Sequence, residues 1–153
     1  MASPTIATEG VMEMRNDGLS ISRIVPLQLV QADESVQPVA CRLVFSGADP
    51  YTVRAVFEGA GSTWLIGREL LAQGLLADLS CPAGYGDVKV WRDESPEYLL
   101  IALSGIEGDA LLAAEAAAVA DFIAETTALV PFGTEGLVMG GAIDEMITQL
   151  LQA

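Results

Sequence analysis

The sequence predicts an α+β fold, with antiparallel strands over the first two thirds of the chain and helices over the last third. Three observations carry this. Runs rich in β-branched and aromatic residues recur between turn signals up to about residue 104. The chain then turns alanine-rich, with apolar residues at helical spacing. Finally, Pro131 and the glycines at 133, 136, 140 and 141 separate that helix from a second one.

Residues 1–18 lack the basic start and apolar centre of a secretory signal and read as a flexible extension. Strands are predicted at 21–30, 39–46 and 51–58, as antiparallel neighbours, with Asp49-Pro50 as the turn between the last two. In the third strand Tyr51, Val53, Ala55 and Phe57 share one face, while Thr52, Arg54 and Glu58 share the other. Gly59-Ala60-Gly61-Ser62 turns the chain and 63–66 pairs back. Residues 68–73 form a short helix with Leu70 and Leu71 inward and Gly74 placed to cap its end. Two more strands follow at 87–92 and 98–104, the second apolar on both faces, which marks a central strand or a subunit contact. Leu112, Ala116, Val119 and Ile123 define a long amphipathic helix at 113–130, which Pro131 stops. The folded domain is therefore 19–135, and 136–153 is a glycine-rich link with a last helix at 142–152.

A chain of 153 residues fits one domain. Its hydrophobic share of 52% and mean hydropathy of +0.44 exceed what one small core usually hides, which predicts an oligomer. Twenty-one acidic side chains oppose six arginines and Lys89, for a net charge of −14. Phosphate backbones bind through clustered cations, so nucleic acid and anionic membranes are unsuitable partners. The most apolar run, 110–124, is broken by Glu115 and Asp121, and a cytoplasmic, soluble protein is expected. Cys41 and Cys81 form no paired motif and read as small buried hydrophobes. The absence of histidine removes the commonest general base and zinc ligand. The carboxylate couples Asp93-Glu94 and Glu107 with Asp109 remain, but such charges more often solvate turns. No catalytic residue, metal or cofactor is expected.

The stretch C-P-A-G-Y-G-D-V-K-V-W-R, residues 81–92, holds a Gly-x-Gly but no dinucleotide or phosphate-loop spacing, and it leads into a strand rather than a helix. It reads as a hairpin corner with Gly86 at positive φ.

Four segments then follow one another in a familiar order and spacing. They are A-D-P-Y-T-V-R-A-V-F, W-L-I-G-R-E-L-L-A-Q-G-L, P-A-G-Y-G-D-V-K-V-W and F-I-A-E-T-T-A-L-V-P-F-G-T-E. Together, over residues 25–135, they resemble the SsgA-like proteins, sporulation and cell-division regulators of actinomycetes. Leu65-Ile66-Gly67 replaces a more aromatic segment, and Phe132 stands where a second proline is usual. The resemblance implies two antiparallel sheets packed with C-terminal helices, a Whirly-like fold and a bell-shaped homotrimer. It also implies a non-catalytic adaptor, concentrated at the septum, that recruits the tubulin-like GTPase FtsZ and meets other SsgA-like proteins. The fold relatives bind single-stranded nucleic acid, which is the alternative function, and the charge of −14 argues against it.

The residues of these words have structural readings. Asp49, Pro50 and Tyr51 are a turn and strand start, and Trp64 and Trp91 plug the core or an interface rather than form ligand platforms. Arg68 pairs with a carboxylate at the start of the short helix or is exposed. Gly86 and Asp87 form the hairpin corner, while Pro131, Gly133, Thr134 and Glu135 redirect the chain after the long helix, with docking as the second reading. In the terminal helix Ile143, Met146, Ile147, Leu150 and Leu151 form an apolar stripe. That stripe either packs as ordinary core or binds a partner groove, a use to which methionine is suited.

Overall fold

The computed structural model of the chain describes residues 11–15, 18–84, 86–106, 108–136 and 150–151. Strands β1 (Val11–Arg15), β2 (Gly18–Val30), β3 (Val36–Ser46), β4 (Asp49–Phe57) and β5 (Ser62–Gly67) lead into helix α1 (Arg68–Gly74). After it come β6 (Val88–Arg92), β7 (Tyr98–Gly105), β8 (Gly108–Glu115) and helix α2 (Ala116–Leu129). All pairings are antiparallel, and they form one continuous sheet of eight strands in the order β5-β4-β3-β2-β8-β7-β6, with β1 beside β2. The sheet is a half-barrel, not the two separate sheets expected.

β2 is what makes the sheet continuous. Along one edge it pairs with β3 from Ser20 to Val30; along the other its start pairs with β1 and its end, Leu27–Val30, with β8. Pro26, which has no N–H to donate, falls between those two segments, where the second edge carries no ladder. Val11–Arg15, assigned from sequence to a loose extension, is a strand for this reason: it supplies the missing neighbour to the start of β2.

Alternation sets the core. Cys41, Leu43 and Phe45 of β3, Val53, Ala55 and Phe57 of β4, and Leu99, Ile101 and Leu103 of β7 all turn inward and are buried. Helix α2 lies in the concavity with Ala116, Val119, Phe122 and Ile123 buried, so truncating Phe122 to alanine costs about 3–5 kcal/mol. Trp64, half-buried on the inner face of β5, lies 3.7 Å from where a Cβ on Gly105 would stand, so it plugs the gap between β5 and the β7–β8 corner. Helix α1 bridges the same opening further along. A Cβ on Gly74 would meet the Val90 Cγ1 atom at 2.2 Å, so this glycine lets α1 settle directly onto β6.

Several local expectations change. Gly74 is the last residue of α1 and not an αL cap; the helix continues into Leu75 in the right-handed region. The β3–β4 turn is Gly47-Ala48, while Asp49 and Pro50 open β4, where the strand start tolerates a missing donor. Residues 108–115 are a strand although Ala113 was read as helical. β8 sits between β2 and β7, and pairing on both edges overrides alanine's helix preference. Cys41 is buried and burial pushes its thiol up to about 12, but Cys81 is exposed in a turn closed by the Asp78 side chain.

Candidate functional site

Arg68 is the first residue of α1 and is completely buried. It is not exposed; it pairs with a carboxylate, that of Glu135, which comes from 67 residues downstream. Its Nη1 donates to the backbone carbonyls of Thr126 at 3.1 Å and Val130 at 2.6 Å, at the C-terminal end of α2. Its Nη2 donates to Glu135 Oε2 at 2.8 Å. The guanidinium lies 5.0 Å from the centre of the Phe45 ring and 4.2 Å from that of Phe132. The last turn of α2 has no basic residue of its own, and its carbonyl ends carry partial negative charge. Arg68 supplies the missing cation from 58 residues upstream.

The Pro131–Glu135 turn closes over this cation. Gly133 adopts φ +92°, a conformation that favours glycine, and its N–H donates to Glu135 Oε1 at 2.8 Å. The Thr134 hydroxyl donates to the Pro131 carbonyl at 2.6 Å. The Glu135 carboxylate thus bridges the turn to α1. Hydrogen bonding from its own backbone amide, then from Arg68, holds it below the ordinary carboxylate range. Phe132 is laid flat on Arg68, with its other face outward.

Above this latch lies a groove of about 400 Å³. Tyr51 of β4 forms one wall, and Glu69, Ala72, Gln73 and Leu76, on and just beyond α1, form another. Phe132, Gly133 and Glu135 complete it. Its apolar members stay uncovered: Leu76 is 91% exposed, Tyr51 49% and Phe132 38%. The surface is an apolar recess with the exposed Glu69 at its rim.

The predicted residues divide into those this site gathers and those it does not. Tyr51, Arg68, Pro131, Gly133, Thr134 and Glu135 meet here; Pro50 is buried beside them at the start of β4, and Asp49 is exposed. Gly86 has φ +85° in the turn between the antiparallel bridge partners Ala83 and Val90, and the Asp87 carbonyl accepts the Ser104 N–H at 2.8 Å, tying the start of β6 to the end of β7. Trp91 is half-buried on the outer face of the sheet beside Leu100 and Leu111. Ile143, Met146 and Ile147 lie outside the described residues; Leu150 and Leu151 are helical and exposed. Asp93 and Glu94 line an open recess on the outer face with Asp78 and Arg92, Asp109 is exposed, and Glu107 lies outside the described residues. Sequence reading missed Leu76 and the Arg68–Glu135 pairing. The signal was available: no lysine or arginine follows Arg92, so any cation for the end of α2 must come from upstream.

Cations are dispersed. Arg23 pairs with Glu125, Arg42 with Glu58 and Arg68 with Glu135, while Arg92 donates to the Pro96 carbonyl. Nothing in this arrangement favours the nucleic-acid alternative. Among the described residues no group of three potential metal ligands occurs, and no helix is long and apolar enough to cross a membrane.

The family described as Streptomyces sporulation and cell division protein, SsgA, matches residues 39–135. The sporulation-specific cell division protein SsgB of Streptomyces coelicolor is 45% identical over 121 residues, 76% of this chain and 85% of that protein. Its counterpart from Thermobifida fusca is 36% identical over 80% of this chain and 89% of its own length. Two solved structures agree with the fold. One, reported with SsgB mutations that correlate with longitudinal cell division in S. coelicolor, superposes with a TM-score of 0.70 at 44% identity, covering 78% of this chain and 94% of that one. The T. fusca crystal structure gives 0.75 at 34% identity, covering 89% and 98%. The half-barrel, the ordered motif blocks and these matches together make this chain a member of the SsgA-like family of sporulation and cell-division proteins.

Proposed function

We propose that this protein acts in cell division as a non-catalytic adaptor that positions the septation machinery, an FtsZ-type tubulin-like GTPase, at septum sites. The observation that carries this is the exposed apolar groove built on the Arg68–Glu135 latch, walled by Tyr51, Leu76 and Phe132. A recess with a fixed floor and uncovered aromatic and leucine side chains suits recognition of another protein. Its ionisable groups support the same reading. Arg68 and Glu135 neutralise each other, so the groove presents shape and charge and no poised acid or base. The Whirly-like trimer belongs to this proposal. The half-buried outer face of β6–β8, with Trp91, Leu100 and Leu111, is the surface that self-association would cover.

The test is co-sedimentation of the purified protein with GTP-assembled FtsZ, with light scattering to measure its own mass. Saturable pelleting with polymer, and a trimeric mass, are expected. Protein that remains in the supernatant at every FtsZ concentration refutes the adaptor role, and a monomeric mass refutes the assembly.

A further inference from the structure

We propose that the groove between Tyr51, Leu76 and Phe132 binds a short amphipathic segment of a different protein, one that carries lysine or arginine beside its apolar anchors. This rests on the adaptor reading and adds the site and the chemistry of its occupant. Two side chains anchor it: Leu76 projects almost fully into solvent, and Phe132 is held in place from beneath by the Arg68 guanidinium, so the apolar surface is preformed.

Charge selects the occupant. Glu69, exposed in the first turn of α1, is the acidic charge the lining offers to a ligand, since the Glu135 carboxylate is taken up by Arg68 and the Gly133 N–H. The adjacent cation, Arg68, is 0% exposed and committed to Glu135 and two carbonyls, so it presents no positive charge to a ligand. Two occupants from this same chain fit worse. The chain's own tail leaves by Gly136, where an added Cβ would stand 3.9 Å from the Tyr51 hydroxyl, so it reaches the groove. However, residues 137–153 carry Asp144 and Glu145 and no cation, and in a second copy the exposed cations Arg54 and Lys89 stand on strands β4 and β6, not beside the apolar stripe of a helix. Like charge beside Glu69 opposes association, whereas a basic flank is drawn to it.

Fluorescence anisotropy with labelled synthetic peptides tests this. One peptide has leucines and isoleucines at i, i+3, i+4 and i+7 with lysine flanks, a second has the same stripe with glutamate flanks, and a third is residues 137–153. The lysine peptide should bind at least about tenfold tighter than the glutamate peptide at low salt. The gap should narrow at about 1 M salt, where screening acts within roughly 3 Å. Glu69→Gln should shrink the gap. Leu76→Ser should abolish binding, while Leu65→Ser, at another exposed leucine, on β5, should not. Equal binding of the two flanked peptides, tighter binding of 137–153, or unchanged binding by Leu76→Ser each overturns the proposal. A change of mass on Leu76→Ser overturns it too, because the occupant is then a second copy. The adaptor reading fails separately. If the lysine peptide binds but FtsZ does not co-sediment, the site stands and the assigned partner falls. If FtsZ co-sediments equally with Leu76→Ser, the partner stands and this site falls.

Discussion

Gly74→Ala is the substitution whose sign best tests how the half-barrel is closed. In a solvent-facing helix the exchange stabilises by up to about 1 kcal/mol, because alanine has the higher helix propensity. Here the new methyl would stand 2.2 Å from Val90 Cγ1, 2.6 Å from Val90 Cβ and 3.2 Å from its backbone carbon. Carbon atoms in good contact are about 3.5–4.0 Å apart, so more than 1 Å of separation must be found. A rotamer change in Val90 relieves the first contact only; the Cβ and backbone contacts require α1 to lift from β6. Overpacking of this kind costs about 1–3 kcal/mol, and the backbone contact puts this case at the upper end. Against the propensity gain, a net loss of about 2 kcal/mol remains, equivalent to a fall in Tm of about 4–8 °C for a domain of this size. Urea unfolding followed by circular dichroism, at fixed protein concentration, reads it directly. The Gly74→Ala, Val90→Ala double variant should lose less than the sum of the two single variants, since removing the γ-methyls frees part of the space. If Gly74→Ala raises the midpoint, or if the two substitutions add, α1 is not seated on β6 as described.

Arg68→Met keeps an apolar stem but leaves the Thr126 and Val130 carbonyls and the Glu135 carboxylate without their donor. The two charge-assisted bonds to carbonyls alone put the loss at about 3 kcal/mol or more by urea unfolding, and a midpoint equal to that of the parent protein refutes the latch. Because the folded-state pKa of Glu135 lies below its ordinary value of 4.5, its contribution is complete above that pH and declines as the pH falls through the lowered value. The stability difference between the parent and Glu135→Gln should therefore shrink on acidification from pH 5 to pH 3, and a constant difference excludes the carboxylate as its source. Gly86→Val should cost about 1 kcal/mol through its positive φ alone, as a Cβ there has open space; no change in melting argues against the φ of +85°. Met146→Asp should leave mass and Tm unchanged and weaken FtsZ pelleting if the terminal stripe docks with a partner, whereas unfolding or loss of the oligomer makes that stripe structural.

Most of the strand order was legible because alternation is a local property. In β4 the inward set Val53, Ala55 and Phe57 follows from the sequence, and only Tyr51 leaves the pattern, since the strand end runs past the core into the groove. β8 was not legible for the opposite reason. Leu111, Leu112, Ala113 and Ala114 carry no alternation of polarity, and nothing local reveals that they lie between β2 and β7. β1 was hidden likewise, because its strand character depends on the free edge at the start of β2. Gly74 shows a third limit. Its position after a helical run suggested a cap, but the need for glycine comes from Val90, a residue on another element.

The latch follows from the charge distribution once the end of α2 and the burial of Glu135 are known, and that gives the groove its logic. Downstream of Arg92 the chain has no cation, yet it contains the C-terminal end of α2, whose carbonyls attract positive charge, and Glu135, which is buried in the fold. A buried carboxylate without a cation is costly, so one of the seven basic residues upstream had to serve. The choice narrows further because Arg23 and Arg42 are engaged with Glu125 and Glu58, and Lys89 and Arg54 face solvent. Arginine is also the suited residue, as one planar fork here satisfies two carbonyls and a carboxylate while stacking on Phe132. The consequence reaches the surface. Because α1 must deliver Arg68 inward, its opposite side, with Glu69, Ala72 and Gln73, is turned toward solvent beside the Pro131–Glu135 turn that the same arginine holds down. The interaction that closes the end of α2 therefore also fixes the distance between the two walls of the groove. Loosening it with Arg68→Lys, which keeps the charge but loses the fork, should weaken binding of the lysine-flanked peptide before it unfolds the domain.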